Sequence, residues 1–262
     1  MHLLWRSTLR PMQTSPLLGN TRTLVLTGAS RGIGHATVKK FGASGWRIIT
    51  VSRQPFSALC PWPGGGENHV QLDLGDPIEL GRGIEEIRNR LAGGRLDALV
   101  NNAAISPKGK NGSRLGAIDT PFDLWRQVFN VNFFAPVALA RGLMKELSEA
   151  RGCVVNVTSI AGSRVHPFAG SAYATSKAAL AALTREMAHD FGPRGIRVNA
   201  IAPGEIDTAI LSPGTDKIVE EQIPMRRLGT PDEVADVIHF LCEKGASYVS
   251  GAEIQINGGQ HV

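Results

Sequence analysis

The sequence predicts an α/β protein with a doubly wound, seven-stranded parallel sheet in a single domain. Short apolar runs alternate with longer stretches of helical periodicity, which is the pattern of successive βαβ units. The apolar runs are nearly continuous, as expected of parallel strands that helices cover on both faces. No internal repeat or linker interrupts the pattern, so one domain is predicted over residues 21–262.

Seven strands are predicted, and helices fill the intervals between them. The strands are Thr23–Thr27, Arg47–Ser52, His69–Leu72, Leu96–Val100, Gly152–Thr158, Ile196–Ile201 and Glu253–Ile256. The helices are Gly32–Ser44, Pro77–Leu91, Pro121–Ala150, Ser171–Phe191 and Pro231–Cys242. Two further segments, Ser106–Thr120 and Asp207–Pro224, are predicted to be irregular. They leave the carboxyl ends of strands, where open parallel sheets bind their ligands.

Composition and charge exclude several classes of protein. Hydrophobic residues make up 42% and charged residues 19% of the chain, as in ordinary globular proteins. The net charge of +5 comes from basic residues scattered among acids, so a nucleic-acid partner is not predicted. The longest uncharged stretch, Gln127–Ala140, falls short of the ~20 residues that a membrane-spanning helix needs. Three widely separated cysteines predict no disulfide framework and favour a cytoplasmic location.

Residues 1–20 are predicted to be a flexible N-terminal extension. They contain arginines and hydroxyl residues but no acids, a composition that organelle transit peptides share. Pro11 and Pro16 would interrupt an amphipathic helix. A flexible tail, or a translation start at Met12, is therefore preferred to a transit peptide.

A glycine-rich turn, Thr27–Gly34, joins the first strand to the first helix. Gly28 permits a tight turn, Gly32 allows the backbone to approach a pyrophosphate, and Gly34 allows close packing of helix on strand. The helix N-terminus favours a diphosphate through its N–H groups and dipole. The spacing predicts a Rossmann-type dinucleotide site, although a purely structural turn is the alternative.

The end of the second strand favours NADP(H) over NAD(H). A carboxylate at this place would bind the ribose 2′-hydroxyl and repel a 2′-phosphate. This chain has Ser52 and Arg53 there, and Arg31 lies in the glycine turn. Two guanidinium groups suit a phosphate, whereas two solvated surface arginines are the alternative.

Tyr173 and Lys177 stand four residues apart in a helical stretch, so they share one face. A nearby ammonium is expected to lower the pKa of the phenol, which would suit an acid–base catalyst of carbonyl reduction. The seven histidines show no metal-binding spacing, so no metal is predicted. His166 is the one histidine near this cluster and is interpreted as incidental.

These motifs occur together in one order. They are Thr27–Gly34, Asn101–Ala104, Asn132, Thr158–Ser159, Tyr173–Lys177, Pro203–Gly204 and Ile256–Gly259. Over nearly the whole chain from residue 21, this pattern resembles the short-chain dehydrogenase/reductase family, and in it the single-domain oxidoreductases such as 3-oxoacyl reductases. Three departures affect the substrate side: Ala104 replaces a usual glycine, Ser159 lies 14 residues before Tyr173 instead of 13, and the stretch from Asn101 to Asn132 is longer.

The resemblance implies a role for each matching residue. The cofactor-binding residues would be Gly28, Ser30, Arg31, Gly32, Ile33, Gly34, Arg53, Asp73, Leu74, Asn101, Ala103, Tyr173, Lys177, Pro203, Gly204, Ile206 and Thr208. Tyr173 would be the general acid in reduction and the base in oxidation. Lys177 would depress its pKa and hold the nicotinamide ribose, Ser159 would bind the substrate oxygen, and Asn132 would hold a water that relays protons.

The predicted function is NADP(H)-dependent interconversion of a small-molecule carbonyl and its alcohol. Thioester, sugar, polyol, steroid and quinone substrates stay open, and Lys108, Lys110 and Arg114 could attract an anionic substrate or form a solvated loop. A catalytically silent protein that senses NADP(H) is the alternative from another class. An epimerase or dehydratase on this fold would need a larger C-terminal region. The resemblance also implies a homotetramer.

Overall fold

The structure is a computed structural model that describes residues 21–56, 65–208 and 214–262. The extension predicted for residues 1–20 lies outside the described residues.

Seven parallel strands form one sheet in the order β3-β2-β1-β4-β5-β6-β7. They are β1 Thr23–Thr27, β2 Arg47–Ser52, β3 His69–Gln71, β4 Ala98–Asn101, β5 Cys153–Val157, β6 Arg197–Pro203 and β7 Glu253–Ile256. The predicted fold class and each predicted strand are confirmed, with ends that differ by at most two residues. The strand order reverses between β1 and β4, and ligands bind at such a switch point in open α/β sheets.

Helices cover both faces of the sheet. They are α1 Gly32–Ala43, α2 Pro77–Arg90, α3 Phe122–Phe129, α4 Ala135–Gly142, α5 Met144–Ala150, α6 Ser171–Phe191, α7 Thr215–Gln222 and α8 Pro231–Cys242. Neighbouring residues on a strand face opposite sides, so Val25 packs in one core while Leu24 and Leu26 pack in the other. Residues of α2, α4, α5 and α6 complete the first core, and residues of α1 and α8 complete the second. Among the described residues, none of the helices has the length and apolar character needed to cross a membrane.

The prediction of one continuous helix over Pro121–Ala150 is wrong. The chain forms α3, a π-helical stretch at Asn130–Phe134, α4 and α5 instead. Pro136 has no N–H to donate to the carbonyl of Asn132 four residues earlier, which favours a wider turn at that point. The break between α4 and α5 falls at Leu143. Periodicity alone does not reveal such breaks, because the buried residues on either side keep helical spacing.

The prediction of an irregular segment at Asp207–Pro224 is also wrong in part, because α7 lies within it. Gly214, with a φ of +90°, precedes the helix in the left-handed region. Thr215 and Ile218 are buried, so packing against the domain stabilises a helix of eight residues that would be marginal in isolation.

Candidate active site

A cavity of about 570 Å³ lies at the carboxyl ends of β1 to β6. Most of the predicted site residues line it. They are Gly28, Ser30, Arg31, Gly32, Ile33, Gly34, Arg53, Asp73, Leu74, Ala103, Ser159, Tyr173, Lys177, Pro203, Gly204, Ile206 and Thr208. The lining does not include Asn101 or Asn132.

The glycine turn forms one end of the cavity and leaves no room for side chains. A Cβ on Gly34 would lie 2.1 Å from the carbonyl oxygen of Gly28, and one on Gly28 would lie 2.8 Å from the Cα of Ala103. Gly28 also has a φ of +72°, which disfavours other residues. Asn102 fastens the turn, since its Nδ2 donates to the carbonyls of Thr27 and Gly28 at 3.0 and 2.9 Å. The backbone at this end is therefore exposed to whatever occupies the cavity.

The N-terminus of α1 opens on the same end of the cavity. The helix begins at Gly32, and the preceding Arg31 makes no capping hydrogen bond with its side chain. The N–H groups of the first turn therefore have no side-chain cap and can receive an anion.

Beyond the turn, the ends of β2 and β3 contribute polar side chains. Arg31 and Arg53 are both exposed on the wall of the cavity. Asp73 is held in place, because its Oδ1 accepts a hydrogen bond of 2.8 Å from the N–H of Gly75. Among the described residues that line the cavity, Asp73 and Glu205 are the carboxylates, so none stands at the end of β2 itself.

Asn101 does not reach the cavity wall, contrary to its predicted contact with the cofactor. It is the last residue of β4, and its side chain is buried and donates to Oδ1 of Asn156 on β5 at 2.8 Å. Successive side chains of a strand alternate between the two sides, so Asn102 reaches the turn while Asn101 stays within the core.

Tyr173 and Lys177 lie in the first two turns of α6, as their spacing predicts. The Lys177 ammonium is 5.7 Å from the centre of the Tyr173 ring, and its Nζ donates to the carbonyl of Val157 at 2.5 Å. Lys177 is only 2% exposed. Burial lowers the pKa of Lys177 from 10.5 to about 7.

The pKa of Tyr173 is raised, so the predicted depression by Lys177 is wrong for the protein by itself. Burial is the largest cause, a hydrogen bond with Ser159 lowers the pKa, and the charge of Glu205 raises it further. Burial also lowers the pKa of Lys177, so its ammonium form is disfavoured in the protein by itself. The phenol therefore keeps its proton at neutral pH.

Ser159 and Asn132 each form a hydrogen bond with a residue of α6. Ser159 follows β5, begins the 3-10 turn Ile160–Gly162 and lies on the cavity wall beside Tyr173. Asn132 is fully buried in the π-helical stretch. Its Oδ1 accepts from the N–H of Ile105, and its Nδ2 donates to the carbonyl of Ile105 and to Oγ of Ser176, at 2.9 to 3.0 Å. Asn132 thus connects the loop after β4 to α6.

The segment after β6 approaches the glycine turn from the opposite side. Pro203 ends β6, and Ile206 pairs with Gly229 in an isolated bridge. A Cβ on Gly32 would lie 3.2 Å from Cγ2 of Thr208, so this segment borders the glycine turn.

Sequence reasoning did not find Glu205 and dismissed His166, yet both line the cavity and form a pair. The loop after β4, for which a solvated conformation was one alternative, packs against the loop between β5 and α6. Lys108 Nζ donates to the carbonyl of Phe168, and Arg114 Nε donates to that of Ala169 at 2.9 Å. No short motif joins these residues, because they come from three separate loops.

Comparisons with known proteins agree with this geometry. Residues 28–261 match the family model described as enoyl-(acyl carrier protein) reductase. The chain is 62% identical to Protein FixR of Bradyrhizobium diazoefficiens over 93% of its own length and 88% of that protein. It is 33% identical to the 3-oxoacyl-[acyl-carrier-protein] reductase FabG of Aquifex aeolicus, over 90% of this chain and 95% of that protein.

Solved structures give the same result. A short-chain dehydrogenase/reductase from Brucella ovis in complex with a partially ordered NAD is 64% identical, with a TM-score of 0.80 over 90% of this chain and 100% of that one. A 3-oxoacyl-[acyl-carrier protein] reductase from Brucella melitensis with bound NAD is 31% identical, with a TM-score of 0.81 over 100% of both chains.

Proposed function

This chain belongs to the short-chain dehydrogenase/reductase family and is an NAD(P)-dependent oxidoreductase, and we propose that it reduces a small-molecule carbonyl with Tyr173 as the proton donor. The main support for this proposal is that one cavity is lined both by the glycine turn and by Ser159, Tyr173 and Lys177. A cofactor and a substrate that share that cavity would have their reacting atoms side by side.

The residues present fit a nicotinamide dinucleotide. The turn at Gly28 and Gly34 has exposed backbone that a Cβ would block, which suits close approach by a diphosphate. By family resemblance, Asp73 and Leu74 would hold the adenine, Ala103 the adenosine ribose side, and Ile206 and Thr208 the nicotinamide carboxamide. Lys177 would hold the adjoining ribose. The bound cofactor would supply or accept the hydride.

The protein's own groups would handle the oxygen and its proton. Ser159 would donate a hydrogen bond to the substrate oxygen, and Tyr173 would donate its phenolic proton as negative charge develops there. Tyr173 has a raised pKa and therefore holds its phenolic proton at neutral pH, which is the form that a proton donor in reduction needs. Oxidation would require Tyr173 to lose its proton first and is therefore expected to be favoured at higher pH. Asn132 would position the relay of protons to Lys177.

We further propose NADP(H) in preference to NAD(H). The support is the exposed pair Arg31 and Arg53 on the cavity wall, with Ser52 instead of a carboxylate at the end of β2. A 2′-phosphate there would receive charge-assisted hydrogen bonds from two guanidinium groups. The NAD in the Brucella ovis relative supports a nicotinamide dinucleotide in this cavity. Because NAD has no 2′-phosphate, the proposed preference for NADP(H) rests on these two arginines.

A homotetramer is proposed on the same family resemblance. Phe122 on α3 is 82% exposed, Phe134 before α4 is 54% exposed and Val262 at the C-terminus is 94% exposed. Contacts between copies would cover these apolar groups. Light scattering after gel filtration should give about four times the 28.0 kDa of one chain, and a monomeric mass would contradict the proposal.

A panel of ketones, aldehydes and alcohols tests the function directly. The purified chain is incubated with each compound and with NADPH, NADH or their oxidised forms, and absorbance at the reduced nicotinamide band is followed. We expect oxidation of NADPH by at least one carbonyl. Tight binding of NADPH, measured by calorimetry, without turnover of any compound would instead support the catalytically silent sensor.

A further inference from the structure

A carboxylate and an imidazole form a pair at the substrate end of the cavity. Glu205 follows Pro203 and Gly204 after β6, and His166 lies in the loop between β5 and α6. His166 Nε2 and Glu205 Oε1 are 2.5 Å apart, and each side chain is 11% exposed. Both residues line the cavity together with Ser159 and Tyr173.

Hydrogen bonds fix the orientation of this pair. The N–H of Phe168 donates to Nδ1 of His166 at 3.2 Å, so that nitrogen is an acceptor. A neutral imidazole then carries its proton on Nε2 and donates it to Oε1 of Glu205. Both ring nitrogens of His166 are thereby used, whereas Oε2 of Glu205 receives no hydrogen bond from any residue that the structure describes. Glu205 is left with acceptor capacity at the cavity wall.

Lys108 and Arg114 of the loop after β4 donate hydrogen bonds to the segment that contains His166. Lys108 Nζ donates to the carbonyl of Phe168, and Arg114 donates to the carbonyl of Ala169 and to Oγ of Ser171. Burial lowers the pKa of Lys108, while the charge of Glu205 raises it. Glu205 also raises the pKa of Tyr173, so its negative charge acts at the reacting hydroxyl. Ser159 and Tyr173 are the donors proposed for the reacting oxygen, and the Glu205 carboxylate is an acidic acceptor on the wall beside them.

We propose that Glu205, positioned by His166, selects substrates that carry a hydroxyl or ammonium group close to the reacting carbonyl. A donor on the substrate would satisfy the carboxylate when the cavity loses its water. A plain hydrocarbon chain would leave the carboxylate unpaired, and an anionic substrate would meet a like charge. This inference rests on the proposed carbonyl reduction and adds the substrate class to it.

Four nearly isosteric ketones test the selection. Aminoacetone, hydroxyacetone, butan-2-one and pyruvate differ only in the group beside the carbonyl, which carries an ammonium, a hydroxyl, a methyl or a carboxylate function. We expect kcat/KM with NADPH to be at least about tenfold higher for aminoacetone or hydroxyacetone than for butan-2-one, and lowest for pyruvate. Butan-2-one or pyruvate as the best substrate of the four would overturn the inference.

Variants separate selection from a structural role. Glu205→Gln keeps the size of the side chain and removes its charge, so the ratio of aminoacetone to butan-2-one should fall about tenfold. A similar fall for aminoacetone and hydroxyacetone would assign the substrate group as a hydroxyl, and a larger fall for aminoacetone would assign an ammonium. His166→Leu removes the donor to Glu205 and should reduce the same ratios, mainly through KM. Asp207→Asn, which changes an exposed carboxylate two residues away, is the matched control and should leave the ratios unchanged.

Ratios are used because damage to the fold lowers kcat/KM for all four ketones in proportion. Unchanged ratios in Glu205→Gln would refute selection by Glu205 while carbonyl reduction stands. Selection is refuted in the same way if the wild type reduces other carbonyls but none of these four. If the wild type reduces no carbonyl with either cofactor, the proposed function fails, and the inference fails with it.

Discussion

The two ends of the cavity are built by different means. At the cofactor end the chain presents backbone, because Gly28 and Gly34 lie where a Cβ would collide with neighbouring atoms. At the substrate end it presents side chains from separate elements, among them Ser159, Tyr173 and Glu205. The first end follows from one continuous turn between β1 and α1, whereas the second requires the segments after β5 and β6 to meet α6.

Burial separates the two ends as well. Arg31 and Arg53 are exposed, so solvent screens their charges until a ligand covers them. Lys177 is almost completely buried, and its pKa falls to about 7 as a result. The charges at the mouth of the cofactor end are therefore open to solvent, whereas the charge of Lys177 is enclosed by protein.

The largest expected effect is at the substrate end. Tyr173→Phe removes the proton donor and should lower kcat by about 10²- to 10⁴-fold. The affinity for NADPH, measured by calorimetry, should change little because the glycine turn is untouched. Tyr248→Phe is the matched control, since the only other tyrosine is fully exposed. Activity of Tyr173→Phe within tenfold of the wild type would contradict the proposed role.

Glycine replacement should be nearly as damaging at the cofactor end. The Cβ of Gly34→Ala would lie 2.1 Å from the carbonyl oxygen of Gly28, so the turn must open and NADPH affinity should fall at least about tenfold. Gly81→Ala on α2 is the control, because nothing lies within 4 Å of its Cβ. It should stabilise the helix by about 1 kcal/mol and leave Kd unchanged. An unchanged Kd in Gly34→Ala would show that close backbone approach is not required.

Charge at the end of β2 should decide between the cofactors. Arg53→Asp would place a carboxylate beside the expected 2′-phosphate and should reduce the preference for NADPH over NADH by about tenfold or more. The measurement is kcat/KM for each cofactor at one fixed carbonyl concentration. Arg82→Asp on the exposed side of α2 controls for the change in net charge. If Arg53→Asp still prefers NADPH as strongly as the wild type, Arg53 does not bind the 2′-phosphate of the cofactor.

The smallest effect concerns stability rather than activity. The folded pKa of Lys177, about 7, lies below its ordinary 10.5, so the unfolded chain binds this proton more tightly. The free energy of unfolding should therefore rise as pH increases from about 7 to about 10.5, and the full cost of the buried charge is present below pH 7.

Lys177→Met should remove this rise. Removal of the buried charge should favour the fold most at and below pH 7, while loss of the donor to the carbonyl of Val157 costs roughly 1–3 kcal/mol at every pH. Lys145→Met, at an exposed position of α5, is the control and should keep the pH dependence of the wild type. Equal pH profiles for wild type and Lys177→Met would contradict the lowered pKa.

The sequence predicted the sheet well and two segments poorly. Strands such as β1 and β5 are short, mostly apolar and bounded by turn residues, so local pattern suffices to locate them. Near Asn132 the chain departs from regular α-helix, because Pro136 removes one donor and the side chain of Asn132 binds Ile105 and Ser176. Helix α7 is stabilised by burial of Thr215 and Ile218, and the local pattern of eight residues does not reveal that burial.

By itself, the sequence determined the order of the chemical groups along the chain: a glycine turn for a diphosphate, then Ser159, then Tyr173 and Lys177 on one helical face. These features depend on local geometry, which a few consecutive residues fix. The tertiary structure alone decided the electrostatics, because burial raises the pKa of Tyr173 and lowers that of Lys177. The tertiary structure also determined which residues form the substrate end. His166 and Glu205 lie 39 residues apart in sequence and come into contact only when two loops pack together. Desolvation and long-range contact depend on the whole fold, and no short motif encodes them.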